Sequence, residues 1–497
     1  PVTAATILEL AEEDEVDLDA GIDRYLALPE DGFGPPPTLR QLLQHRGGYP
    51  DAIVGSHHLD PGTVPDPATW VEGTTRTHSS DVVGSYSSVG YTLAGHAVAA
   101  AQGVPWADVA EERLFEGLGM GSSTFGPVPA DVAVGHVLED GVFEALPVDS
   151  PALVAGAGLV ASGEDVVRFL EALVKPGSGL SEGTRAGLLT RSAPEEGLRG
   201  YSIGLTERTH GDRVVLYHEA NGIGTTSRIV VAPDLGIALF TSANAAALEG
   251  LGDPSAATTF IRDLQAAVLD RFYPGSGAPE ASAFTGGAGR PTSALDGWYG
   301  ATRVDEGSFL RLEALIGQSR VTEVDGGVVF GGAEYKAVGE GRYVDGPYQV
   351  QFLAGPVGET FATVGGTGSY ERLAWWETLP VQGGVVIAAV VLLLVGLVLA
   401  VRRRGESWLL AVGTAVVGLG SVGTLAFGAM GLEVMEVFTG VPSIIRVAQG
   451  LVWAAAIGVV ALVVRTIGKP QGLTPWVVFA GGALLVGWAA YWGVLLA

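Results

Sequence analysis

The sequence predicts three successive parts: a mixed α/β domain, an antiparallel sheet covered by helices, over residues 1–272; a small β-barrel or sandwich over 295–378; and an α-helical membrane domain of four spans over 379–497. Three observations carry this. Apolar residues recur at helical spacing through much of residues 3–174, the pattern shortens to β-type runs at 200–242, and four apolar segments follow residue 380 with Arg446, at the start of the third, as their one charge. Each of those segments is near the roughly 20 residues needed to cross a bilayer.

The composition agrees with a membrane part: mean hydropathy is +0.35 and only 16% of residues are charged. Charge is unevenly spread. Residues 381–497 hold three acids (Glu406, Glu433, Glu436) and six bases, which leaves 51 of the 54 acids and 22 of the 28 bases, net −29, in residues 1–380. So acidic a domain repels phosphate backbones and anionic lipid, which excludes nucleic acid as a partner of this part. The only lysines are Lys175, Lys336 and Lys469. Acid excess with almost no lysine is the expected outcome of adaptation to high salt, where charges are screened and hydrated carboxylates keep a surface soluble. Without cysteine there are no disulfides, thiol nucleophiles or cysteine metal sites.

Taken in order, Thr3 to Ala11 reads as a helix that ends in the acidic turn Glu12–Asp19, and Ile22 to Leu26 is a second short apolar segment. After Pro35-Pro36-Pro37, Thr38 caps a helix with Leu39, Leu42 and Leu43 on one face, closing at Gly47-Gly48; Gln44-His45-Arg46 reads as its plain C-terminus. The stretch Gly84-Ser85-Tyr86-Ser87-Ser88-Val89-Gly90-Tyr91 leads into a helix. A tyrosine on a Gly- and Ser-rich connection can face a cleft and, as tyrosinate, take a proton from a serine; the same stretch is also an ordinary helix start with Ser87 or Ser88 as cap. A second helix, Trp106 to Leu114, follows Gly103-Val104-Pro105, and Ser162 caps a third at Glu164 to Val174.

Gly200 to Leu205, Arg213 to His218, Arg228 to Ala232 and Gly236 to Ser242 are the β-type runs, and Thr258 to Phe272 is a helix whose Phe260, Ile261, Leu264, Val268 and Leu269 are expected to cover the sheet. Residues 273–294, rich in Gly, Pro, Ser and Ala, read as a linker. From Leu295 to Trp376, short strands alternate with glycine turns. The spans are expected near Val381–Val401, Trp408–Phe427, Ile444–Val464 and Pro475–Leu496. Arg402-Arg403-Arg404, Arg465 and Lys469 flank one side, whereas Glu433 and Glu436 occupy the middle loop, so the positive-inside bias puts residues 1–380 outside the cell on a multi-pass anchor. Arg446, at the very start of the third span, is the one charge inside them, and the lack of any deeper charge argues against a transport path.

Two candidate motifs are read as structural. Gly200-Tyr201-Ser202-Ile203-Gly204 fits G-x-S-x-G, which needs a strand, a sharp turn and a helix, but the residues after it read as a hairpin. His57-His58-x-Asp60 lies in a Pro-, Gly- and Asp-rich loop and reads as solvated surface, so no metal or cofactor is expected.

Several segments taken together resemble the serine β-lactamase and D-alanyl-D-alanine carboxypeptidase family, in its class C and esterase-like branch, over about residues 1–272. They are Thr3-Ala4-Ala5 through Asp17-Leu18-Asp19; Thr38 to His45; Tyr86-Ser87-Ser88-Val89-Gly90-Tyr91; Leu114 to Met120; Gly156-Ala157-Gly158-Leu159; and His218 to Asn244. The resemblance implies a β-lactamase-like fold and a serine hydrolase that acts by acyl-enzyme on a small peptide, ester or β-lactam-like substrate. It makes Tyr86 the general base of a Tyr-x-Asn triplet, with Ser88 where asparagine is usual. It makes His218 the start of the third strand motif, with Ala220 where glycine is usual, and places Ser88, His218, Ala220 and Gly222 at the substrate. No Ser-x-x-Lys pair exists, since Ala172, Ala333 and Thr466 stand three residues before the lysines. In the family that lysine is followed by two residues and Thr-Ala, here Pro1-Val2-Thr3-Ala4, so the pair is expected just upstream of Pro1 and the chain as given is expected to be inactive. A catalytically inactive receptor or scaffold that keeps the fold is the alternative.

Overall fold

The computed structural model describes residues 1–66, 73–139, 142–191, 200–211, 213–245, 256–274, 294–339, 341–345, 348–355, 359–365, 368–429, 434–467 and 472–495. The chain forms two compact units, one of Pro1–Ala52, Ser56–Arg303 and Ser319–Arg372, the other of Ile53–Gly55, Val304–Gln318 and Leu373–Ala497. The expected linker at 273–294 falls, but for its ends, outside the described residues, as do Glu433 and Lys469.

The first unit opens with α1 (Val2–Glu12), whose Val2 to Leu8 are all buried, as befits a helix at the centre of a core. Helix α2 (Leu39–Leu43) starts at Thr38, which accepts from the Gln41 amide while the Gln41 side chain accepts from the Thr38 amide. Helix α3 (Ser88–Gln102) is capped by Ser87, whose hydroxyl accepts from the Gly90 amide, and ends at Gly103 in the left-handed region. Helix α4 (Trp106–Ala110) runs on through a π-helical turn, Glu111–Phe115. Helices α5 (Val154–Ala157), α6 (Gly163–Val174) and α7 (Glu182–Leu189) complete this lobe, with Ser162 capping α6 as expected.

Two short pairs went unseen in the sequence: β1 (His57–His58) with β4 (Ser150–Pro151), and the hairpin β2 (His136–Glu139) with β3 (Val142–Ala145). The main sheet has five antiparallel strands in chain order, β5 (Tyr201–Ser202), β6 (Leu205–His210), β7 (Arg213–Gly222), β8 (Thr225–Ala232) and β9 (Ile237–Ala243). Alternation sorts its faces. Leu216 and Val231 join the helical-lobe core, while Val215, Val230 and Ala232 join Leu269 of α8 (Ala256–Phe272) on the other side.

Helix α8 covers the sheet with a different stripe from the one expected. Thr258, Ile261, Gln265 and Leu269 are buried, whereas Phe260 and Leu264 are exposed. Polar residues win the inner positions because partners await them: the Gln265 amide donates to the Arg228 carbonyl, and the Thr258 hydroxyl donates to the Asn221 side chain.

Of the two options for residues 295–378, the closed barrel holds, with eight strands β10 (Gly297–Ala301) to β17 (Gly368–Arg372) in chain order and β10 pairing β17 through Tyr299 and Arg372. Tyr299, Val321, Val328, Val350 and Phe352 fill its interior.

The second unit contains α9 (Leu312–Ile316) and four helices long and apolar enough to cross a membrane: α10 (Leu379–Arg403), α11 (Trp408–Ala429), α13 (Ser443–Thr466) and α14 (Leu473–Tyr491). The last ends short of the expected Leu496, because the chain turns at Trp492 and at Gly493, φ 72°. A short helix not foreseen, α12 (Val434–Thr439), lies in the middle loop. Glycines bring the spans together: a Cβ on Gly396 would stand 2.4 Å from Val478, and one on Gly458 2.3 Å from the Thr414 hydroxyl.

Candidate active site

A cavity of about 280 Å³ lies between the sheet and the helical lobe. The alternation that sends Leu216 inward also sends His218 and Ala220 of β7 into it, together with Ser227 and Ile229 of β8 and Phe240 and Ser242 of β9. Glu219 points the other way and pairs with Arg262 of α8 at 2.7 Å. From the helical lobe come Tyr86 and Ser88, at the entry to α3, and Pro1, Val2 and Thr3 at the start of α1. Met120, Phe125, Leu159, Val166 and Phe169 form an apolar wall suited to an uncharged group.

Tyr86 is held on several sides. His45 lies against its ring at 4.3 Å between centroids and His218 at 6.5 Å. The His45 Nδ1 accepts from the Ser87 amide at 3.1 Å, so its proton resides on Nε2. Asp51, 4% exposed, accepts from the Ser88 amide at 3.1 Å. Arg303, two residues past β10, grips the same carboxylate through Nε at 3.0 Å and Nη2 at 2.9 Å and lays its guanidinium 4.6 Å from the centre of the Tyr86 ring. Barrel residues also hold this loop: the Ser369 hydroxyl donates to the Gly84 carbonyl at 2.8 Å, and Glu371 lies 3.0 Å from Nε2 of His78.

Burial dominates the protonation states. It pushes the Tyr86 phenol up, against Arg303 and the Ser88 hydroxyl, which favour the anion. It drives His45 well below its ordinary value and His218 down to about 3, so both imidazoles are neutral at physiological pH.

Of the sequence candidates, Tyr86, Ser88, His218 and Ala220 line the cavity together, whereas Gly222 sits at the hairpin end of β7, paired with Thr225 and outside the lining. Ser202 is fully buried, its hydroxyl donating to the Leu205 carbonyl inside the β5–β6 turn, where no substrate reaches it. His45, read from the sequence as a plain helix end, is part of the site: it leaves α2 at φ 54° and turns inward. Asp51 and Arg303 were missed altogether. They are 252 positions apart, and no local pattern links them.

The family model for beta-lactamase matches residues 1–259, more than half of the chain, and the protein belongs to that family. Among solved structures it is similar to SurE, at 21% identity and TM-score 0.51 over 75% of this chain and 85% of that one. It is also similar to the octameric penicillin-binding protein homologue from Pyrococcus abyssi, at 19% identity and TM-score 0.46 over 75% and 86%. A third is the D-amino acid amidase from Ochrobactrum anthropi SV3, at 25% identity and TM-score 0.45 over 54% and 81%. No match was found among curated proteins.

Proposed function

We propose that this protein is a membrane-anchored, externally facing serine hydrolase that cleaves an amide, ester or β-lactam carbonyl through an acyl-enzyme. The observation that carries the reading is the placement of Tyr86 in the cleft of a beta-lactamase-family domain, facing His218 and Ala220 across a cavity with an apolar wall. In this scheme Tyr86, as tyrosinate, removes the proton of a serine hydroxyl as the serine oxygen bonds to the carbonyl carbon. The leaving nitrogen or oxygen then departs with that proton, and water repeats the sequence to release the acid. The backbone of β7 beside Ala220 supplies oxyanion contacts. Pro1, Val2 and Thr3, which the resemblance sets beside the nucleophile, line the same cavity. The cationic Arg402 and Arg403 at the end of α10 favour an outside position for residues 1–380.

A second reading, a non-catalytic receptor on the same fold, is favoured by Ala220, whose Cβ occupies space where the resemblance expects glycine. One experiment separates the two. The full-length protein is treated with a serine-reactive phosphonate. The hydrolase reading expects covalent labelling, slowed at least about a hundred-fold by Tyr86→Phe and unaffected by Ser202→Ala. Absence of labelling supports the receptor, and loss of labelling in Ser202→Ala would overturn the assignment of Tyr86.

A further inference from the structure

Tyr86 presents an energetic problem that the described residues of its own domain do not solve. A tyrosine serves as a base only as its anion, yet enclosure by the site raises the cost of that anion. Apart from Arg303, only the Ser88 hydroxyl among the groups around it favours the anion, and it carries no charge. His45 and His218 lie against the ring as neutral imidazoles, Tyr91 and Tyr201 below them are uncharged and hydrogen-bonded to each other at 3.3 Å, and Asp51 is anionic and opposes a second negative charge. Arg303 is the one cationic side chain that the described residues bring onto the ring.

We propose that Arg303, supplied from the β-barrel, is a positioning residue for Tyr86: it fixes the ring by stacking and stabilises the tyrosinate, which makes the barrel a working part of the active site. The geometry is specific to arginine. Its guanidinium contacts Asp51 through Nε and Nη2 while its Cζ rests 4.6 Å from the Tyr86 centroid, an arrangement that a lysine ammonium, with a single nitrogen, cannot reproduce. Asp51 in turn accepts from the Ser88 amide, so one carboxylate anchors both the guanidinium and the first turn of α3. The anchorage is built on the barrel side as well, since Ser369 of β17 donates to the Gly84 carbonyl two residues before Tyr86. Because the Arg303 side chain is 55% exposed, its removal leaves no large cavity, and solvent moderates its field.

The test reads the ionisation of Tyr86 directly, and only its kinetic arm rests on the hydrolase reading. The protein has 13 tyrosines, and the difference in ultraviolet phenolate absorbance between it and Tyr86→Phe isolates the one of interest. In the background of Arg303→Met the midpoint of that difference titration is expected to rise by about half to one pH unit. Arg303→Lys, which keeps the charge but loses the stacked fork, should recover part of the shift. Thermal melts should show both variants folded. In the full-length protein, Arg303→Met should reduce kcat/KM about three- to ten-fold at neutral pH and move the rising limb of its pH profile upward by the matching half to one unit, with activity recovering at high pH. A loss constant across pH, or an unchanged Tyr86 midpoint in Arg303→Met, overturns the proposal. Hydrolysis indifferent to Tyr86→Phe would sink the hydrolase reading while leaving the titration result in force.

Discussion

His45 leaves α2 at φ 54°, a conformation that costs an L residue about 1–2 kcal/mol, and it is held there by what its ring does inside. It accepts from the Ser87 amide and packs against Tyr86, Tyr91 and Tyr201. It is one of four histidines that burial lowers, with His96 lowered too, His57 to about 4 and His218 to about 3. Below the ordinary value of 6.5 the unfolded chain binds protons at these positions that the folded chain refuses, so stability falls with pH there. The contribution is complete above pH 6.5 and is lost progressively as the pH drops toward the folded values. The melting temperature is expected to decline from pH 7 to pH 5, and the decline to be shallower in His218→Gln. A slope unchanged by that substitution would show that His218 is not the group being titrated.

The element that shapes the cavity floor is α5, and it can lie where it does because Gly156 has no side chain. A Cβ there would stand 2.3 Å from the Ser88 carbonyl oxygen, a backbone atom that cannot swing aside, and the Gly156 amide donates to Thr92 of α3. Gly156→Ala should therefore push α5 away from α3, lower stability by about 1–3 kcal/mol and impair the site in the same step. Gly121→Ala, whose Cβ would meet open space, should leave the melting temperature unchanged. Equal melting temperatures for both variants would show that α5 yields freely. At this scale the sequence was informative about position and silent about purpose: Gly156-Ala157-Gly158-Leu159 stood out as a run, but its packing against Ser88 joins segments 68 positions apart, beyond the reach of any local pattern. The same holds for α8, whose visible apolar residues suggested a face that includes Phe260 and Leu264. The sheet instead offers partners to Thr258 and Gln265.

For the whole molecule, the net charge of −29 on residues 1–380 is the largest single fact that the folded structure does not neutralise. Arginine pairs such as Arg76 with Asp31 and Arg191 with Glu207 are built into the beta-lactamase-family domain, yet far more acids than bases remain. Self-repulsion of this kind weakens as ions screen it, over about 10 Å at 0.1 M salt and about 3 Å at 1 M. The melting temperature of residues 1–380 within the intact chain is expected to rise from low to molar salt. Equal values would mean that local pairing already offsets the repulsion and that high-salt adaptation is the wrong explanation of the composition.

By itself the sequence determined what depends on neighbours in the chain: helix starts at Thr38, Ser87 and Ser162, the change to short strands after residue 200, and four spans set by the thickness of a bilayer. It also marked Tyr86, because a Gly- and Ser-rich approach to a helix is itself a local signal. Only the tertiary structure decided that a barrel closes, since closure needs β10 to find β17, and that Gly222 stays outside the cavity while His45 enters it. It alone brought Arg303 over Tyr86 through a carboxylate 252 positions away. Such contacts are fixed by the packing of complete layers, which no window of sequence contains.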